Sequence, residues 1–127
     1  SWRGDDRLKK TGFTDFSISA DDEDWVQVPL RIPNFMTTLR IDPPSGSTVR
    51  ISDIQVIVNG VVHPIPISKL VDQRHYKSMF RNDGFLESRG ADDPWVRMNV
   101  VEIIGKSERR AVDVVLRFRA AILVPVL

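Results

Sequence analysis

Two stretches of strict two-residue alternation constrain this chain more than anything else in it. In DWVQVPLRI, residues 24–32, Val26, Val28, Leu30 and Ile32 fall on one face and Trp25, Gln27, Pro29 and Arg31 on the other. In AVDVVLRFRAAIL, residues 111–123, Val112, Val114, Leu116 and Phe118 oppose Asp113, Arg117 and Arg119. Side chains leave a strand on alternate faces, so each stretch reads as a strand with one face buried and the other wet. Pro29 has no N–H to give to a ladder, which predicts an edge position or a bulge for its strand.

The rest of the chain repeats this grammar in shorter pieces. Residues 35–41 bring Phe35, Leu39 and Ile41 into register. Within residues 49–58 the apolar parity flips from Val49 and Ile51 to Ile54, Val56 and Val58. A regular strand would expose one of the two sets, so a bulge is predicted near Ser52-Asp53. Asn59-Gly60 suits the two positive-φ positions of a type I′ turn, after which VVHPIPI returns antiparallel until Pro64 and Pro66 limit it. SKLVDQRHYKSMF, residues 68–80, has a poor apolar stripe and reads as a long connection with at most one short helix, Ser68 being its N-cap candidate. WVRMNVVEII, residues 95–104, reads as a strand with Val96, Met98 and Val100 inward, joined to the last strand by a polar hairpin-type loop, Gly105-Lys106-Ser107-Glu108. About eight short strands with turn residues between them predict an all-β fold, a two-sheet antiparallel β-sandwich, with at most one short helix.

At 127 residues the chain has the length of one domain, and residues 1–127 are read as a single β-sandwich with one core. Its 42% hydrophobic and 28% charged residues are those of an ordinary globular protein. Eighteen basic against 17 acidic side chains leave a formal net charge of +1, so composition makes no case for nucleic acid or an anionic membrane surface. The absence of cysteine excludes disulfides, thiol nucleophiles and thiolate metal sites. No stretch approaches the ~20 apolar residues that cross a bilayer, and the N-terminal SWRGDDRLKK lacks the apolar run of a signal peptide, so the sequence reads as soluble. A start without Met and an apolar end, AAILVPVL, fit a processed product or an excised fragment.

LRIDPPSGSTVRISDIQVI, from Leu39, followed at a distance by DDPWVRMNV, resembles the β-sandwich domains attached to bacterial cell-surface polysaccharide glycosyltransferases and related envelope proteins. The matching pieces are Leu39-Arg40-Ile41-Asp42-Pro43, Ile51-x-x-Ile54 and Asp93-Pro94, spread over residues 24–104. The resemblance implies a jelly-roll-like accessory domain, similar to carbohydrate-binding modules, outside the cytoplasm or at the cell envelope. It carries over no catalytic residue and no cofactor.

No hydrolase motif or phosphate loop is present, and nothing in the spacing of the carboxylates selects a glycosidase pair, so the chain is read as no enzyme. His63 and His75 have no third nitrogen or sulfur ligand nearby, and no zinc site is expected. Asp21-Asp22-Glu23-Asp24 lacks the alternate spacing of a calcium loop and reads as a solvated run. Arg3-Gly4-Asp5 spells a cell-adhesion tripeptide, which at a frayed terminus reads as chance. Asp42 is expected to accept backbone N–H bonds from the Pro-Pro-Ser-Gly turn and to fix a strand-to-strand corner.

The aromatics point further. Trp95, Arg97 and Asn99 share the outer face of their strand, and an indole beside a guanidinium and an amide suits a sugar, whose C–H face stacks while its hydroxyls take hydrogen bonds. Trp25 also falls on an outer face, with Gln27 and Arg31. The competing expectation buries both tryptophans under a loop or against a neighbouring domain. The reading is a non-catalytic accessory domain of an envelope glycan-assembly protein, with a saccharide or another domain of the parent protein as partner. A structural or protein-interaction module is the alternative.

Overall fold

The computed structural model describes residues 2–5, 13–16, 24–33, 37–72, 79–104 and 111–124. In chain order these hold β1 (Trp2–Asp5), β2 (Phe13–Phe16), β3 (Asp24–Ile32), β4 (Thr38–Asp42), β5 (Thr48–Val58) and β6 (Val61–Pro64). A 3₁₀ turn (Ile67–Lys69) follows, then β7 (Val71–Asp72), β8 (Phe80–Arg81), β9 (Leu86–Glu87), β10 (Val96–Asn99), one helical turn α1 (Val101–Ile104) and β11 (Val112–Val124). Eight of these strands have four residues or more.

All the pairings are antiparallel and make two sheets. One runs β2-β1-β4-β10-β7, the other β3-β11-β5-β9-β8 with β6 also on β5. From β3 onward the chain steps from sheet to sheet: β3, β5, β9 and β11 lie in the second, β4, β7 and β10 in the first. Strands that follow one another therefore tend to face each other across the core, which is a jelly-roll-like β-sandwich. The expected hairpin between residues 95–104 and 111–123 does not form: β10 pairs with β4 and β7, and β11 lies between β3 and β5. Gly105-Lys106-Ser107-Glu108 lies outside the described residues, as do Phe35, His75 and Asp21-Asp22-Glu23.

One contiguous cluster of buried side chains joins the two sheets, including Leu39, Ile41, Val96 and Met98 from the first and Val28, Ile51, Val56, Leu116 and Phe118 from the second. The bulge forms as expected. Arg117 pairs with Gln55 and Arg119 with Ser52, so Phe118 alone faces Asp53 and Ile54, and Asp53 takes φ 52°. The extra residue resets the parity of β5, and Val49, Ile51, Ile54 and Val56 all end up buried. Asn59 (φ 51°) and Gly60 (φ 78°) make the type I′ turn, with Val58 opposite Val61. Pro29 sits exposed on β3, the outermost strand of its sheet, where the ladder loses nothing by its missing N–H.

Four local expectations need correction. The strand expected over residues 95–104 stops at Asn99, whose Oδ1 accepts the Val101 N–H at 2.8 Å; the N–H groups of Ile103 and Ile104 both donate to the Val100 carbonyl at 3.0 Å. A side-chain acceptor that caps the next turn outcompetes the β preference of Val-Val-Glu-Ile-Ile. Ser68 lies inside the 3₁₀ turn, whose N-cap is Pro66. Arg3-Gly4-Asp5 is not frayed: it forms part of β1, paired with β2 on one side and β4 on the other.

The fourth concerns the Pro-Pro-Ser-Gly corner, which is closed by Ser47, whose Oγ donates to the Pro44 carbonyl at 2.6 Å around Gly46 at φ 79°. The Gly46 N–H donates to Ala91 and the Gly90 N–H to Ser47, each at 2.9 Å, and the Asp93 N–H donates to Ser45 Oγ at 2.8 Å. The buried Asp42 carboxylate instead takes a two-pronged bond from Arg40 Nε and Nη2, both at 2.8 Å. The corner is thus laced to residues 88–93, in the loop between β9 and β10.

Candidate functional site

Parity along β10 buries Val96 and Met98 and turns Trp95, Arg97 and Asn99 to the outer face of the first sheet. Register with β4 sets Arg97 opposite Arg40 and Asn99 opposite Thr38. The half-buried Trp95 ring is flanked by the guanidiniums of Arg40 and Arg97, each 5.7 Å from its centroid. Of these two cations, Arg40 is matched by Asp42, whereas Arg97 faces no carboxylate among the described residues. With strand neighbours on one face about 7 Å apart, Trp95, Arg97 and Asn99 form a row of roughly 13 Å.

Asn99 at the end of that row borders a cleft of about 530 Å³ that sequence reasoning missed. Its walls include Pro64 and Pro66, and its polar lining is His63, Lys69, Asn99 and Glu102. Lys69 Nζ lies 3.8 Å from Glu102 Oε2. These groups come from the β5-β6 hairpin, the 3₁₀ turn, the end of β10 and α1, and only the crossing of the chain between sheets brings them together. Nothing in their spacing announces it.

Trp25 and Gln27 are on the outer face of the other sheet, so the five predicted residues form two separate surfaces. The bulged register carries Arg117 and Arg119 under Trp25: their guanidinium carbons lie 3.7 and 4.6 Å from its ring centroid. Gln27 is exposed opposite Arg117. Arg117 Nη1 reaches Gln55 Oε1 at 3.5 Å, its Nε is buried with no hydrogen-bond partner, and Arg119 Nε lies 3.5 Å from Asp53 Oδ2. Further along this face Arg31 and Asp113 pair in full solvent, at 3.0 and 3.2 Å, which raises the guanidinium's pKa and lowers the carboxyl's.

The most enclosed charge on this sheet was not anticipated either. Glu87 is buried on β9; Arg50 Nε and Nη2 donate to its Oε2 at 2.9 and 2.7 Å, and Arg89 Nε to its Oε1 at 2.9 Å. Arg50 lies over Phe85 at 4.3 Å and Arg89 over Phe80 at 3.8 Å, the two rings 5.9 Å apart. Burial pushes the Glu87 carboxyl up, and the hydrogen bonds from Arg50 and Arg89 outweigh it, leaving the group below the usual carboxylate range.

Among the described residues no group of three or more His, Cys, Asp or Glu could hold a metal ion. No helix among them is long and apolar enough to cross a membrane. No family model, curated protein or solved structure matches this chain.

Proposed function

We propose that the chain is a non-catalytic accessory β-sandwich of a bacterial envelope glycan-assembly protein, acting outside the cytoplasm and binding an extended saccharide along Trp95, Arg97 and Asn99. The observation that supports this is the row itself. An indole between two guanidiniums, at 5.7 Å each, leads through Arg97 to the Asn99 rim of a cleft. A row of roughly 13 Å is longer than one pyranose, so it suits an oligomer and not a monosaccharide. Apolar C–H faces would stack on the indole while Arg97 and the Asn99 amide supply donors to hydroxyls.

Affinity gel electrophoresis against bacterial polysaccharides tests it. The parent chain is retarded, and Trp95→Ala abolishes retardation while its melt falls only by what a half-exposed cation–π contact is worth, about 1 kcal/mol. A core-sized loss of about 3 kcal/mol or more, or a parent chain that no saccharide retards, would sink this reading. The protein-interaction alternative is favoured by one observation: the short edge strand β6 exposes Val61 at 56% and Val62 at 47%. A sheet edge carrying apolar side chains is a place where a partner's strand can add.

A further inference from the structure

We infer that the Trp25, Arg117 and Arg119 cluster on the second sheet is a carboxylate site, separate from the Trp95 row on the first sheet, and that the saccharide it takes is an acidic, uronate-bearing one. The inference rests on the saccharide reading above and adds the ligand class. Its starting point is how Arg31, Arg40, Arg50 and Arg89 are matched, Arg97 on the first sheet having no such carboxylate among the described residues. Asp42 takes Arg40 in two bonds at 2.8 Å, Glu87 takes Arg50 and Arg89 at 2.7–2.9 Å, and Asp113 takes Arg31 at 3.0 and 3.2 Å. Arg117 and Arg119 depart from this. They stand two apart on one face of β11, over the same indole at 3.7 and 4.6 Å, with Asp53 as the carboxylate beside them, touching Arg119 alone at 3.5 Å. Arg117 has the neutral Gln55 oxygen at 3.5 Å, the outer limit of a hydrogen bond.

Among the described side chains, two cations against one carboxylate 3.5 Å from Arg119 leave this cluster with a net positive charge and unused N–H groups. A guanidinium binds a planar carboxylate by a fixed fork of donors, and two forks side by side can share one oxyanion. The indole that carries both guanidiniums holds them against their mutual repulsion, so the subsite is assembled before the ligand arrives. Gln27 and Gln55, on the same face and in register with Arg117, add neutral amides for ring hydroxyls. Nucleic acid is the less suitable partner. It is held by a run of phosphate contacts, whereas this cluster offers two guanidiniums, one of them beside Asp53, on a chain of net charge +1.

The experiment compares polygalacturonate, its fully methyl-esterified form and oligothymidylate as affinity-gel ligands for the parent chain, R117Q/R119Q and R117K/R119K. The ester keeps the sugar and removes the charge, oligothymidylate keeps the charge and removes the sugar, and lysine keeps the stem and charge but not the fork. The expected result is retention of the parent on polygalacturonate at least ~10-fold tighter than on the ester or oligothymidylate, with that margin lost in R117Q/R119Q and mostly lost in R117K/R119K. Melting curves of both variants check the fold, and the lysine variant keeps the aliphatic packing on Trp25 should the glutamine one be unstable. Equal retention by acid and ester, an unchanged margin in a folded variant, or equal retention by oligothymidylate overturns the inference. Neutral polymer binding that depends on Trp95 but shows no acid preference leaves the saccharide reading standing and removes this one alone.

Discussion

Replacing Glu87 by glutamine removes a charge from a site built around it. Three donor groups converge on that carboxylate at 2.7–2.9 Å, and its side chain is only 6% exposed. Charge-assisted bonds to buried groups are worth about 1.5–3 kcal/mol each when a partner is lost. Two terms reduce the sum. Arg50 and Arg89 are 39% and 55% exposed, so both can turn to water, and glutamine escapes part of the desolvation that the carboxylate bears. The expected net loss for Glu87→Gln is about 2 kcal/mol at pH 7. Because the folded carboxyl lies below its unfolded value, its contribution is complete above the unfolded pKa of about 4.3 and is lost as pH falls through the folded pKa. Urea denaturation of parent and variant at pH 7, 5 and 3 should therefore show a gap that holds from pH 7 to 5 and shrinks at pH 3. A gap of the same size at all three pH values would refute the reasoning, since the loss would then owe nothing to the charge.

Phe118→Ala removes a fully buried ring from β11, between β3 and β5, and should lower stability by about 3–5 kcal/mol in the same denaturation assay; a curve that overlays the parent would place Phe118 outside the core. Gly60→Val meets no atom within 4 Å, so its effect is backbone strain alone at φ 78°, about 1–2 kcal/mol, and an unchanged melting temperature would rule out the type I′ turn.

What could be read from the residues was what local rules govern. The parity break in β5 could only be repaired by an extra residue, and Asn59-Gly60 suited one turn. The inward and outward faces of β3, β10 and β11 followed from alternation. Pairing was a different matter. That β10 and β11 lie in different sheets depends on which distant strands accept them, and no local pattern carries that information. For the same reason Arg40, Arg117 and Arg119 were missed as neighbours of the tryptophans, whereas Arg97 was expected beside Trp95: Arg119 meets Trp25 because β3 and β11 pair in one particular register, 94 positions apart in sequence. Glu87 went unremarked because Phe85-Leu86-Glu87-Ser88-Arg89 is too short to show a period, and its partner Arg50 lies 37 positions upstream. Asn99 was rightly placed at the surface, but its capping bond, which ends the strand, was not foreseen.

The placement of β11 bears on how the chain comes to be folded at all. It comes after all the other described strands in the chain, yet it sits between β3 and β5 and completes the ladders of both. Until residues 112–124 have emerged from the ribosome, β3 has no neighbour among the described strands of its sheet and β5 presents a long edge rich in Val and Ile. The nascent chain cannot close its core progressively from the N-terminus, because the decisive pairings span most of its length, and such non-local pairing is slow. During that interval the open edge is a template for other chains. Truncation before residue 112 is expected to yield aggregates and not a smaller folded body, and efficient production of the intact domain should depend on holding the nascent chain apart from its neighbours until its final strand is inserted.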